Sequence, residues 1–122
     1  MSDYSQTLVF TLETRVDIVT IKRLEPELRE LSKTQSPDLI IDMTQVNFID
    51  SSGIGAIVFL YKRLKSRGHH LRLLNVSGQP FALLQQLRIN KVIHFITHTD
   101  VPYDATHEFD RGDLHYRMRS LG

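Results

Sequence analysis

The sequence predicts an α/β fold, in which helices alternate along the chain with the strands of a four- to five-stranded mixed sheet. Short apolar stretches of strand length alternate with longer segments of helical periodicity. Residues 39–41 form a continuous apolar run, which is typical of a central strand that is covered on both faces. Alternating helices and strands favour right-handed crossovers and therefore a mostly parallel sheet.

The first two strands are predicted to form a hairpin. Residues 7–13 alternate apolar and polar side chains, as a half-buried strand does, and residues 17–22 repeat the alternation. Residues 13–17 are a plausible hairpin connection between them. The sequence therefore predicts an antiparallel pair at one edge of the sheet.

Helices are predicted near residues 26–35, 53–67 and 79–87. Pro26 suits the first turn of the first helix, where its missing N–H costs nothing. Gly68 suits the C-terminal cap of the second. The remaining strands are expected at 39–41, 71–74 and 93–97, and a second apolar piece over residues 46–49 precedes the second helix.

The chain divides into two ranges with different sequence patterns. Residues 1–100 carry the alternating pattern and are predicted to form one domain. Residues 101–122 are polar, contain Pro102 and Gly112 and show weak periodicity, so we expect a C-terminal tail or a short appended helix.

Composition excludes several classes of function. The chain of 122 residues has no cysteine, which excludes a disulfide framework, a thiolate zinc site and cysteine catalysis. A formal net charge of +1 gives no indication of nucleic-acid binding. No segment reaches the ~20 apolar residues of a membrane span, and the first residues do not resemble a signal peptide. We therefore expect a cytoplasmic protein without direct membrane insertion.

No catalytic or metal site is predicted. The six histidines are not accompanied by carboxylates at a recognisable metal spacing. No G-x-S-x-G elbow surrounds either serine of the Ser51–Ser52 pair, and no phosphate-binding loop is present. We expect no cofactor, no metal and no enzymatic activity.

The most informative segment lies at the start of the second predicted helix. Asp50, Ser51 and Ser52 are good N-capping residues, and Gly53 and Gly55 would let another backbone approach closely. A hydroxyl at a helix N-terminus is also a favourable position for a phosphate, because free N–H groups and the helix dipole stabilise negative charge. On these residues alone, a helix cap without further function is the favoured interpretation.

A longer run changes that interpretation. The sequence VNFIDSSGIG over residues 46–55, with an acidic residue after the preceding apolar strand and a following helix that ends in Lys-Arg-Leu, resembles the STAS domain family. It resembles most closely the bacterial anti-sigma-factor antagonists. The resemblance implies a STAS-like fold, phosphorylation of Ser52 as the second serine of the block, and Asp50 as its acidic neighbour in a kinase-contacting loop.

The second helix also suggests a partner-binding surface. On a helical wheel, Ala56 and Phe59 lie opposite the main apolar stripe, while Leu60 lies between the two sides. An apolar patch beside a regulatory serine suits protein docking. The alternative is that Phe59 packs against a neighbouring helix. The predicted partner-binding residues are Asp50, Ser51, Ser52, Gly53, Gly55, Ala56 and Phe59.

The resemblance implies a partner-switching regulator. Unphosphorylated, the protein would bind an anti-sigma factor or a related histidine-kinase-like serine kinase. Phosphorylation of Ser52 would release it, and a PP2C-type serine phosphatase would reset it. The alternative is a STAS subunit of a membrane transporter ATPase complex of the lipid-transport type, in which the serine pair is structural.

Overall fold

The computed structural model describes residues 7–35 and 37–100, and the backbone of 106–109. Its strands are β1 (Leu8–Thr11), β2 (Arg15–Val16), β3 (Asp38–Asp42), β4 (Phe48–Ile49), β5 (His70–Leu74), β6 (His94–Ile96) and β7 (Thr106–Phe109). Its helices are α1 (Ile18–Leu31), α2 (Ser51–Lys65) and α3 (Gly78–Gln86). This order confirms the predicted α/β class.

Five strands form one sheet in the order β6-β5-β3-β1-β7, and every neighbouring pair in it is parallel. The sheet is therefore parallel among the described residues, without the antiparallel edge that the sequence suggested. Strand β3 lies at the centre, and its residues Leu39, Ile40 and Ile41 are all buried. The predicted central strand is confirmed.

The two faces of the sheet are buried by different groups of residues. Along β1, Leu8 and Phe10 join a large cluster with the apolar faces of α1, α2 and α3, while Val9 points to the other face. This alternation follows from the two-residue period of a strand. On the second face, Val9 joins a smaller cluster with Ile40, Leu74 and Ile96.

The predicted second strand over residues 17–22 is wrong, because these residues begin α1. Asp17 caps the helix: its Oδ1 accepts a hydrogen bond from the Thr20 backbone N–H at 3.1 Å. That bond is the main reason why the pKa of Asp17 is lowered. The Thr20 hydroxyl in turn donates to the Arg15 carbonyl at 2.8 Å. With no strand here, the predicted hairpin does not form.

The first helix begins at Ile18 instead of residue 26, and burial explains why. The β-branched residues from Ile18 to Ile21 favour a strand locally. However, Thr20, Leu24, Leu28 and Leu31 are buried on one helical face. Pro26 therefore lies inside the helix and not in its first turn. It is on the exposed side of the helix. Water can therefore bond the backbone carbonyl that would otherwise accept a hydrogen bond from an N–H at position 26.

Strands β2 and β4 form a separate parallel pair with Arg15 opposite Phe48 and Val16 opposite Ile49. The Asp50 N–H donates to the Val16 carbonyl at 3.2 Å, just beyond this register. The residue after each strand is a helix cap, Asp17 for α1 and Asp50 for α2. The two helices therefore begin side by side.

Helix α2 occupies the predicted place and ends as expected. Gly68 adopts a φ of 77°, and the His69 N–H donates to the Leu64 carbonyl at 2.9 Å, which confirms the predicted C-terminal cap. The buried face is rotated slightly from the predicted stripe. Leu60 is 1% exposed and belongs to the core, whereas the adjacent Phe59 is 47% exposed.

Helix α3 fixes the strand before α2 through one side chain. The Ile49 N–H donates to Gln79 Oε1 at 2.9 Å, and Gln79 Nε2 donates to the Ile49 carbonyl at 2.9 Å. The amide of Gln79 thus bonds both backbone groups of Ile49, as a neighbouring strand would. The residue immediately before Asp50 is held in place by these two bonds.

Most of the predicted tail, residues 101–105 and 110–122, lies outside the described residues. Within it, residues 106–109 form β7, which pairs with β1 and lies at an edge of the sheet, where the sequence suggested a tail or helix. The domain boundary near residue 100 stays a prediction. Among the described residues, no helix is both long and apolar enough to cross a membrane.

The different burial of two neighbouring residues on α2 gives a first prediction. Leu60→Ala should lower the free energy of unfolding by about 2–5 kcal/mol, because it removes a buried side chain and leaves a cavity. Phe59→Ala should cost less than about 1 kcal/mol, because Phe59 is largely solvent-exposed. Urea denaturation of both variants measures this difference. Equal losses would show that the helix is rotated from the orientation described here.

The Gln79 bridge gives a second prediction. Gln79→Ala should lower the free energy of unfolding by about 1–3 kcal/mol, because both backbone groups of Ile49 lose their partner. Gln86→Ala, at an exposed glutamine of the same helix, is the matched control and should change it by less than about 0.5 kcal/mol. Thermal or urea unfolding compares the two, and the bridge would be unimportant if both variants matched the parent.

Candidate functional site

The candidate site lies at the N-terminus of α2, where Asp50 organises the first turn. Asp50 Oδ1 accepts hydrogen bonds from the Ser52 N–H at 2.9 Å and from the Gly53 N–H at 3.2 Å. The Asp50 carbonyl accepts from the Ile54 N–H at 3.0 Å. The predicted capping role of Asp50 is therefore confirmed, while Ser51 and Ser52 are the first two residues of the helix.

Both serine hydroxyls are available for chemistry. Ser51 is exposed and Ser52 is half-buried. Within the described part of the chain, neither hydroxyl has a hydrogen-bond partner, so modification of either would break no bond there. Exposure alone does not favour Ser52 over Ser51. The choice of Ser52 comes from the resemblance to the antagonists.

The electrostatics of this helix end act on an added phosphate in two ways. The helix N-terminus carries a partial positive charge, and the first turn of α2 contains no acidic residue. The Asp50 carboxylate already accepts two of the N–H groups and would repel a phosphate on Ser52. A phosphate here is compatible with the folded helix, but it adds about 1.5–2 negative charges beside the Asp50 carboxylate.

The two glycines of the site have different roles. A Cβ atom on Gly53 would lie 2.5 Å from Ile49 Cγ1 and 2.8 Å from Val16 Cγ1, so Gly53 is needed for α2 to pack against β2 and β4. A Cβ atom on Gly55 would meet nothing within 4 Å. Gly55 is exposed inside a helix, where glycine is unfavourable relative to alanine, and no contact of the described fold requires it.

Phe59 lies one helical turn beyond Gly55 and is a surface residue. Nearly half of its side chain is exposed, and the Arg63 guanidinium lies 5.5 Å from its ring centroid. Ala56, between them along the helix, is half-buried. We call Ser52, Gly55, Ala56 and Phe59 the docking face; helical spacing places them on adjoining parts of one side of α2.

Sequence reasoning missed two exposed apolar residues at the start of α1. Ile18 is 48% exposed and Val19 is 71% exposed, and both lie in the first turn of α1. Because β2 and β4 are in register, this turn starts beside the first turn of α2. Ile18 and Val19 were predicted to belong to a strand, so their place in the first turn of α1 was not expected. Asp17 followed by a leucine series at helical spacing was the signal that could have revealed it.

The described residues contain no group of three or more histidine, aspartate or glutamate side chains placed to hold a metal ion. The arrangement at the start of α2 is instead an unbonded hydroxyl, an acidic cap and an exposed apolar surface. Such an arrangement can accept a phosphoryl group and contact another protein.

The chain is similar to known proteins both in sequence and in structure. The anti-sigma-B factor antagonist of Listeria monocytogenes is 28% identical over 78 residues, which are 64% of this chain and 68% of that protein. A sulfate transporter family protein from Wolinella succinogenes has a TM-score of 0.67 at 20% identity, over 80% of this chain and 81% of that one. The Bacillus cell fate determinant SpoIIAA in its phosphorylated form has a TM-score of 0.62 at 18% identity, over 79% and 87% of the two chains.

These structural similarities, all below 25% identity, concern the fold. The family is shown by a separate match: the STAS domain model covers residues 1–101, most of the chain. This range includes every strand of the sheet except β7, together with the Asp-Ser-Ser-Gly block at the start of α2. The chain therefore belongs to the STAS domain family.

Proposed function

We propose that this protein is an anti-sigma-factor antagonist that switches partners through phosphorylation of Ser52. The observation that carries the proposal is the unbonded Ser52 hydroxyl on the same side of α2 as the exposed residues Gly55 and Phe59. The name of the Listeria relative, an anti-sigma-B factor antagonist, supports the same role. The structural neighbour SpoIIAA exists in a phosphorylated form, which supports phosphorylation of this chain.

In the unphosphorylated state, the docking face binds an anti-sigma factor or a histidine-kinase-like serine kinase. Phe59 supplies an aromatic anchor of the kind that contributes much of the binding energy in protein interfaces. Gly55 leaves room for the backbone of the partner to come close. The partner kinase then transfers the terminal phosphoryl group of ATP to the Ser52 hydroxyl, and ADP leaves.

Phosphorylation ends the complex through charge and desolvation. The phosphate adds about 1.5–2 negative charges next to Asp50. In the complex these charges would lose water and collide with atoms that had packed against a neutral hydroxyl. A loss of about 3 kcal/mol lowers affinity about a hundredfold. A PP2C-type serine phosphatase removes the phosphate and restores binding. In this proposal the chain is a cytoplasmic regulator and the catalysis belongs to its partners.

A second function is favoured by one observation, the similarity to the sulfate transporter family protein from Wolinella succinogenes. In this alternative, the domain is a subunit of a membrane transporter complex, and the Asp-Ser-Ser-Gly block only caps α2. The capping bonds of Asp50 are compatible with both functions. The exposed glycine at Gly55 favours the first, because a cap does not require it.

Phosphate mapping tests the switch. After incubation with the cognate kinase and ATP, mass spectrometry should place one phosphate on Ser52, and the phosphorylated protein should bind that kinase at least about a hundredfold more weakly. Ser52→Ala should bind persistently and accept no phosphate. Ser51→Ala is the matched control and should be phosphorylated normally. Label on Ser51 would contradict the assignment, and no label with an active cognate kinase would favour the transporter subunit.

Gly55 and Phe59 test the docking face, since stability and binding should change in different ways. Gly55→Ala should raise the free energy of unfolding by about 0.5–1 kcal/mol, because alanine is the better helix former. The same substitution should weaken binding to the partner kinase about tenfold or more, as should Phe59→Ala. Urea denaturation and calorimetric titration measure the two effects. Unchanged binding in both variants would place the interface elsewhere.

A further inference from the structure

Helices α1 and α2 pack against each other, and one internal void shows which sides meet. Its lining includes Ile21 and Leu28 of α1 and Gly53, Ala56 and Ile57 of α2. The void measures only about 10 Å³, so the residues on its two sides lie close together. The side of α1 that carries Ile21 therefore faces the side of α2 that carries Ala56, which belongs to the docking face.

Ile18 lies on the same side of α1, one turn before Ile21. Residues three apart on a helix share a side, so Ile18 borders the contact with α2. The caps Asp17 and Asp50 follow paired residues of β2 and β4, so the first turns of the two helices are level with each other. The axes of packed helices are about 8–10 Å apart. Ile18 is therefore opposite the first turn of α2, which contains Ser52.

Val19 is in the same turn of α1 but on another side of the helix. A helix rotates by about 100° per residue, which places Ile18 about 60° from Ile21 and Val19 about 160° from it. Val19 is 71% exposed and Ile18 is 48% exposed, as expected if only Ile18 borders the neighbouring helix. Of these two exposed apolar residues, Ile18 is therefore the one that adjoins α2.

The surface between the two helices continues the docking face with apolar side chains. Ile21 and Ala56 are half-buried and pack against the core, and Ile18 and Phe59 are exposed beside them. We call Ile18, Ile21, Ser52 and Ala56 the α1–α2 groove. A single exposed apolar residue needs no explanation, but adjoining ones form a patch that suits contact with another protein.

The fold alone gives little reason for an isoleucine at position 18. Ile18 is the first residue of α1, and a β-branched side chain loses rotamer freedom in a helix. The helix dipole favours a negative charge in a first turn, yet the first turn of α1 contains no acidic residue. Nearly half of Ile18 is also exposed, so it gains only part of the benefit of burial. Contact with a partner would bury the remainder.

We propose that the partner kinase packs an apolar side chain into the α1–α2 groove, between Ile18 and Ala56. This inference rests on the proposed function, because it extends the surface around Ser52 from α2 onto α1. The continuity of the groove with the docking face favours the kinase as the occupant over a second copy of this chain. A phosphate on Ser52 would bring charge and bound water next to this apolar contact, which adds a reason why phosphorylation releases the partner.

Ile18→Asp tests the groove, because it should affect folding and binding differently. A carboxylate in the first turn of α1 interacts favourably with the helix dipole, so the melting temperature should stay close to that of the parent. In the complex the same carboxylate would lose water against an apolar side chain. Binding to the kinase that phosphorylates Ser52 should therefore weaken about tenfold or more. Ile18→Ala, which adds no charge, should weaken it about threefold or more. Calorimetric titration and thermal unfolding measure the two effects.

Val19→Asp is the matched control, since it adds the same charge to the same turn on the side away from α2. It should weaken binding less than about twofold. Equal effects of the two aspartates would overturn the groove in favour of a general effect of charge. Unchanged binding of Ile18→Asp would overturn it but leave the proposed function intact if Phe59→Ala still weakened binding. If neither did, the docking face would fail as well. A dimer of the chain alone that required Ile18, seen by sedimentation equilibrium, would overturn the groove in favour of a second copy.

Discussion

The positions of both helices that border the site depend on one contact, the packing of Gly53 against Val16 and Ile49. There is no space for a Cβ atom at this point, so the backbone of α2 lies directly against the β2–β4 pair. Because the same pair places Asp17 and Asp50 in register, the contact also determines that α1 and α2 start together. The first turns of the two helices lie at the same end of the β2–β4 pair for this reason.

The start of α2 is held from two directions. Val16 accepts a hydrogen bond from the Asp50 backbone on one side, and Gln79 bonds both backbone groups of Ile49 on the other. The backbone around Ser52 is thus fixed by neighbours, while its hydroxyl makes no bond to the described residues. A fixed backbone with an unbonded hydroxyl suits a site that another protein must recognise and modify, since little order is lost on binding.

The sequence allowed the α/β class, the central strand and the helix after the Asp-Ser-Ser-Gly block to be predicted, because each has a strong local signal. The first helix was mispredicted because residues 18–21 are β-branched, and the capping bond of Asp17 and the burial of Leu24 and Leu28 outweigh that local preference. The pairing of β7 with β1 could not be predicted, since it joins residues far apart in the chain.

In the candidate site too, some features could be predicted from the sequence and others could not. The cap, the serines and Phe59 could be located from residue type and helical spacing. The role of Gln79 could not, because its hydrogen bonds to Ile49 cross 30 residues of sequence. The difference between Gly53 and Gly55 also needed the structure, since both are glycines of one helical turn and only their surroundings distinguish them.

The length of helix α2 limits communication between its two ends. Its 15 residues span about 22 Å, from the serines to Lys65. Mobile ions screen charges beyond about 8 Å at physiological ionic strength, so a phosphate at one end has little direct effect on charged groups at the other. Any coupling would require the helix to shift as a rigid body. The close approach at Gly53 resists such a shift, so a charge added at Ser52 should act on its immediate surroundings and not on the far end of α2.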